Sequence, residues 1–168
     1  MLRVLRTLHP AQDGAPQAEP GAAGHVAGAW DAPDGARVQN DLFDVGADLS
    51  TPVVEDPKYP PLRVEQFYVD RLEEDCDRFN EQLEKLRSFI LPGGTPGAAL
   101  LHQACTVVRR AERSTWAALE VHGETMNPLT ATYLNRLSDL LFILGRVANP
   151  DGDVLWQPGG PHGAPPAT

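Results

Sequence analysis

The 168-residue chain is predicted to be all-α, an antiparallel helical bundle of about four long helices flanked by disordered N- and C-terminal segments. Three observations carry that prediction. Apolar residues recur at steps of three and four in four separate stretches, the spacing that lines one face of a helix. No stretch alternates apolar and polar residues as a half-buried strand does. The links between the periodic stretches are mostly short and rich in proline or glycine, which suits antiparallel neighbours.

The first helix is expected from about Asp34 to Leu49. Val38, Leu42, Val45 and Leu49 form its apolar face, and Asp41, Asp44 and Asp48 form a separate acidic stripe. Pro52, Pro57, Pro60 and Pro61 then forbid regular structure. A second helix is expected from about Arg63 to Ile90, with Val64, Tyr68, Leu72, Cys76, Phe79, Leu83 and Leu86 as its buried stripe. Pro92-Gly93-Gly94 stops it. The third starts at Thr95 or Pro96, a capping residue followed by a first-turn proline, and runs to about Val121, with Gly123 as its stop. The fourth has Asn127 as cap and Pro128 at its first position. Tyr133, Leu134, Leu137, Leu140, Leu141, Leu144 and Val147 supply its apolar face, and Asn149-Pro150-Asp151-Gly152 ends it.

Residues 1–36 are dominated by Ala, Gly, Pro, Asp and Gln. Too little apolar surface is present to offset the entropy of ordering them, so disorder is expected. The Pro- and Gly-rich tail, residues 157–168, reads the same way. The bundle domain is therefore placed at residues 37–156.

A net charge of −9 argues against a general nucleic-acid or anionic-membrane binder, since both partners reward positive charge. No apolar run approaches the roughly 20 residues of a membrane span. The N-terminus lacks the apolar core of a signal peptide. Cys76 and Cys105 give neither a disulfide framework nor a metal-ligand spacing. The cytoplasm is the expected compartment.

The third helix carries the most informative charges. Arg109 and Arg113 are four residues apart and share a face, with Arg110 beside them. Like charges at this spacing destabilise a bare helix, so something should offset them. Glu112 stands three residues from Arg109 and can orient it. The acidic stripe of the first helix can supply partners, and a bound triphosphate would match guanidinium forks better still. A plain salt-bridge face stays open as the alternative. The fourth helix holds a second polar cluster, Asn135, Arg136, Ser138 and Asp139, inside an apolar run. Asn135 can bond a ribose or a base edge, or belong to an interhelical hydrogen-bond network. His102 has no partner in a ligand spacing, so no metal site is expected. Cys76 is expected to pack in the core.

Four ordered motifs carry a resemblance. Phe89-Ile90-Leu91-Pro92-Gly93-Gly94, Leu101-His102, Arg109-Arg110-Ala111-Glu112-Arg113, and Tyr133 through Phe142 are similar in order and spacing to the ATP-dependent corrinoid adenosyltransferases of the trimeric helical-bundle type. The run Asn40 to Leu49 resembles that family's second helix, of five in all, and the likeness covers roughly residues 37–158. It implies transfer of the 5′-deoxyadenosyl group of ATP to the cobalt of a reduced corrinoid, with triphosphate leaving. By the same resemblance Arg109, Arg110 and Arg113 hold the triphosphate, Glu112 orients an arginine or assists Mg2+, and Asn135 binds ATP. Phe89 then blocks the lower face of the cobalt, unless it simply closes the second helix as a core residue. The implied partners are ATP and reduced cobalamin, further copies of the chain in a homotrimer, and a cobalamin-dependent enzyme that receives the product.

The sequence departs from that family twice. Nothing in residues 1–36 resembles its Gly- and Thr-rich phosphate loop and first helix. That segment reads as foreign to a body starting near Arg37, and the bundle is expected to expose an apolar groove where the helix would lie. Cys105 also stands where the family usually has an arginine, which leaves Asp48 or another acidic-stripe residue expected to be unpaired. Three readings follow: an active adenosyltransferase, a catalytically silent relative that binds corrinoid or assembles with other subunits, and a structural bundle.

Overall fold

A computed structural model of the chain describes residues 32–159. Four helices follow in order: α1 Ala32–Leu49, α2 Gln66–Asn80, α3 Pro96–His122 and α4 Leu129–Val147, with a 3-10 turn, Gly123–Thr125, before the last. The predicted all-α class is what the chain adopts. Among the described residues, β-type pairing is confined to one antiparallel bridge between Ile90 and Leu155. None of these helices is long and apolar enough to cross a membrane. The disorder expected of residues 1–31 and 160–168 concerns positions outside the described residues.

Consecutive helices alternate in direction. Tyr68 bonds to Asp44 and Arg78 to Asp34, so α1 and α2 are antiparallel. Thr95 bonds to the carbonyl of Ala148 while Asn135 reaches Glu112, so α3 and α4 are antiparallel too. One end of the bundle therefore gathers Asp48, Val64 and Asn127. The other gathers Thr95, Ala148 and Asn149.

Helix α4 is central because its apolar residues wrap well beyond one stripe. Tyr133, Leu134, Leu137, Leu140, Leu141 and Leu144 are all buried, and α4 packs against both α3 and α2. Each such side chain contributes about 2 kcal/mol by leaving water. Truncating Leu137, which is fully buried, to alanine would open a cavity costing roughly 2–5 kcal/mol.

The caps largely follow the sequence. Thr95 Oγ1 accepts from the Ala98 amide at 3.1 Å, with Pro96 in the first turn. Asn127 Oδ1 accepts from the Leu129 amide at 3.1 Å, so it caps α4 as expected, although the helix itself starts at Leu129 rather than Pro128. Gly123 differs. Its φ is −54°, a right-handed value, so α3 passes into the 3-10 turn instead of ending in a left-handed cap. Helix α1 begins at Ala32, ahead of the boundary placed at Arg37.

The largest correction is to α2, which spans Gln66–Asn80 and not Arg63 to Ile90. Local propensity would continue it through Leu83 and Leu86. Tertiary contacts win. The Glu84 carbonyl accepts from Arg146 Nη2 at 2.8 Å, and residues 89–91 pair with 154–156. Leu86 ends exposed, as does Leu49 at the end of α1. Val64 is buried as expected but lies before the helix.

The acidic stripe is also corrected. Asp41 and Asp48 are buried and face other helices. Asp41 accepts from the Tyr133 hydroxyl at 3.1 Å and pairs with Arg71 and Arg37. Burial holds its carboxyl above the ordinary value against the pull of those cations. Asp48 takes the Val64 amide, the Asn127 amide group and the Arg63 guanidinium. None of the three aspartates pairs with the arginines of α3, and Asp48, expected to be unpaired opposite Cys105, is fully partnered. Helix α1 docks on α2 and α4, and its carboxylates are taken up there.

Candidate functional site

The arginine-bearing stretch of α3 meets α4 at its polar interruption. Glu112 is buried, an unusual place for a carboxylate unless it is bonded. Its Oε2 accepts from Arg109 Nη1 at 2.9 Å and its Oε1 from Asn135 Nδ2 at 2.8 Å. Burial works to raise its carboxyl, but hydrogen bonds from Asn135 and Arg109, with the guanidinium charge, carry it below the ordinary value. Arg109 in turn is held above its ordinary value, chiefly by the bond to Glu112. Arg109 Nη2 also donates to Asp139 Oδ1 at 3.0 Å.

Arg110 and Arg113 are exposed and make no side-chain hydrogen bond or ion pair among the described residues. The stretch thus presents one guanidinium fixed between two carboxylates and two that remain unneutralised. Three of the five predicted binding residues, Arg109, Glu112 and Asn135, come together as one bonded unit, with Arg110 and Arg113 beside it. Asn135 occupies one amide hydrogen on Glu112, so its carbonyl end remains available to a ligand.

Phe89 lies elsewhere. The residue is 76% exposed, and its ring meets Trp156 edge-on at 5.9 Å, in the irregular segment that pairs with residues 154–156. It does not close a helix as a core residue. This is the Thr95 end of the bundle, and Arg109 lies about 20 Å along α3 from Pro96 at 1.5 Å per residue. Leu91, Val154, Leu155 and Trp156 are exposed in the same region, which makes that end apolar.

Sequence reasoning grouped Asp139 and Arg136 with Asn135 but gave them no task. The structure joins them: Asp139 Oδ2 accepts from Arg136 Nη1 at 3.0 Å, and Arg136 Nε pairs with Glu73 of α2 at 3.2 Å. The available signal was the four-residue step from Asn135 to Asp139, which puts both on the face toward α3. Cys105, one turn before Arg109, donates its thiol to the Ser138 carbonyl at 3.3 Å. Burial pushes that thiol up, against the nearby Arg109. Cys76 is packed against the core as expected and pushed up to about 12, first by burial.

His102 is buried between α3 and α4, edge-on to Phe142 and against Gly145. Among the described residues no group of three or more His, Cys, Asp or Glu side chains is arranged to hold a metal. Glu112, the residue read as assisting Mg2+, has both oxygens occupied by Arg109 and Asn135.

Comparison with known proteins shows the family. The family model for cobalamin adenosyltransferase matches residues 31–148, and the chain belongs to that family. It is 69% identical over 124 residues to the corrinoid adenosyltransferase of Mycobacterium tuberculosis, covering 74% of this chain and 64% of that one. It therefore spans a little under two thirds of that relative's length. Among solved structures it is similar to a variant PduO-type ATP:corrinoid adenosyltransferase from Lactobacillus reuteri complexed with cobalamin and ATP, with TM-score 0.67, 30% identity, and coverage of 81% of this chain and 78% of that one. A second variant from the same organism, complexed with ATP, gives TM-score 0.66 and 32% identity over 79% of this chain and 73% of that one.

Proposed function

We propose that the chain transfers the 5′-deoxyadenosyl group of ATP to the cobalt of a reduced corrinoid, releasing inorganic triphosphate. The cobalt(I) electron pair forms the bond to C5′ as the bond from C5′ to the triphosphate oxygen breaks. No side-chain nucleophile is needed, so the protein contributes position and charge. The observation that carries this reading is Arg109 fixed by Glu112 and Asp139 beside the unneutralised Arg110 and Arg113. That arrangement suits a leaving group whose negative charge grows as the bond breaks. Glu112 sets the guanidinium, and Asn135, already bonded to Glu112, offers its carbonyl to the nucleotide. Mg2+, where it is needed, would travel with the phosphates, as that ion commonly does.

Phe89 supports the corrinoid half of the reading. An exposed aromatic at the apolar end of the bundle is suited to cover one face of a flat macrocycle and exclude a lower ligand. The two solved relatives are substituted at a phenylalanine and an arginine whose positions differ by 20. Phe89 and Arg109 have the same separation. A cytoplasmic homotrimer that hands its product to a cobalamin-dependent enzyme completes the reading.

The test is incubation with ATP and chemically reduced cobalamin, followed by the absorbance change of adenosylcobalamin formation. No product at any ATP concentration sinks the proposal. Cys105 favours a second reading, a corrinoid-binding relative without turnover, because a neutral thiol bonded to Ser138 supplies no phosphate contact. Corrinoid titration distinguishes it: binding without product supports the second reading, and product formation removes it.

A further inference from the structure

We propose that Asp139 is a positioning residue for Arg109, and that Arg136 anchors Asp139 in turn. This deepens the reading of Arg109 as a polyphosphate ligand and rests on it. Glu112 alone holds Arg109 at one nitrogen, Nη1. One contact leaves a long side chain free to swing about it. The second contact, Nη2 to Asp139 Oδ1 at 3.0 Å, comes from a different helix. Two contacts on opposite nitrogens fix the plane of the guanidinium.

Asp139 is itself held. Its other oxygen takes Arg136 Nη1 at 3.0 Å, and Arg136 Nε meets Glu73 at 3.2 Å. The chain of charges therefore runs from α2 through α4 to α3 and ends on one guanidinium. The participants are partly exposed, with Arg109 at 47%, Arg136 at 41% and Asp139 at 32% of their side-chain surface. Ion pairs at such exposure contribute little to stability. The carboxylates also weaken the attraction of Arg109 for anions, while Arg110 and Arg113 keep theirs. Orientation is what the arrangement gains.

The consequence has a distinctive sign. Asp139→Asn returns charge and mobility to Arg109 together. Binding of inorganic triphosphate should hold or tighten, while kcat falls about tenfold from lost alignment. The melting temperature should stay within about 3 °C, because little stability is at stake. The experiment compares the unaltered chain, Asp139→Asn and Arg109→Ala in steady-state kinetics, in calorimetric titration with inorganic triphosphate, and in thermal unfolding. Unchanged kcat in Asp139→Asn overturns the proposal. So does a fall in kcat accompanied by weaker triphosphate binding and a matching loss of melting temperature, the mark of a structural role. If the chain shows no turnover, the titration decides, and weaker triphosphate binding in Asp139→Asn overturns the proposal.

Failure of the underlying reading looks different: Arg109→Ala would bind triphosphate and turn over as the unaltered chain does. Should Asp139→Asn not fold, Arg136→Gln carries the test. It keeps the Asp139 charge but removes its anchor. It should lower kcat with triphosphate binding unchanged, and an unchanged kcat overturns the proposal.

Discussion

Replacing Gly94 with alanine tests how the Thr95 end of the bundle, which carries Phe89, is tied down. Gly94 has φ +101°, in the left-handed half of backbone space, where a side chain adds strain of about 1–3 kcal/mol. A Cβ built there would stand 2.1 Å from Asn149 Oδ1 and 2.6 Å from its Cγ and Nδ2. The Asn149 side chain would have to leave. It is buried, it accepts from the Thr95 amide at 2.9 Å, and it donates to the Gly93 carbonyl at 3.0 Å. Losing two such bonds costs about 1 kcal/mol each. The expected destabilisation of Gly94→Ala is therefore about 3–5 kcal/mol, a large part of the roughly 5–15 kcal/mol that holds a domain. Urea unfolding followed by circular dichroism measures it, alongside Asn149→Ala and the double variant. Because the clash needs both side chains, the double variant should be less destabilised than the sum of the single ones. A Gly94→Ala loss below about 1 kcal/mol, or strictly additive effects, would refute the reasoning.

Four further outcomes are expected. Asp48→Ala strands Val64, Asn127 and Arg63 donors at the opposite end and should cost about 3–5 kcal/mol by chemical denaturation; Glu120→Ala on the exposed α3 surface should stay within about 0.5 kcal/mol. His102 is buried, and burial holds its imidazole below the ordinary value against the opposing Asp153. The folded state then binds protons less readily than the unfolded chain, so stability should rise with pH from the folded value up to about 6.5 and level off above it. Melting temperatures across that range, compared with His102→Gln, check this, and an identical slope in the variant contradicts it. Glu112 has the same sign in a more acidic window, because its folded value is also depressed. Its contribution is present above the ordinary carboxylate range and is lost as pH falls through its depressed folded value. Glu112→Ala should cost about 2–3 kcal/mol at neutral pH and flatten the acid side of the unfolding profile.

The resemblance in the sequence located the family and named the residues that the structure groups as the candidate site, because each motif is local. The Arg109-Arg110-Ala111-Glu112-Arg113 run lies within little more than one helical turn, and Asn135 and Asp139 lie one turn apart on the next helix. Helical periodicity alone then fixes which of them share a face. The second helix failed for the converse reason. Residues 81–90 have the composition of a helix, and what redirects them is a distant guanidinium, Arg146, and a segment, 154–156, far along the chain.

What the sequence by itself determined is what periodicity and capping set: the presence of four helices, most of their apolar faces, the Thr95 and Asn127 caps, and the clustering of arginines on α3. Charge partners were beyond it. The acidic stripe of α1 was equally able, by composition, to meet the arginines of α3 or those of α1 and α2, and only docking decided that Asp41 and Asp48 face Tyr133, Arg71 and Arg63. The same docking brought Asp139 to Arg109. A charge has no preferred partner along the chain. Its partner is whatever the packing of the apolar faces carries within reach, and in this bundle that packing leaves Arg109 held and Arg110 and Arg113 open.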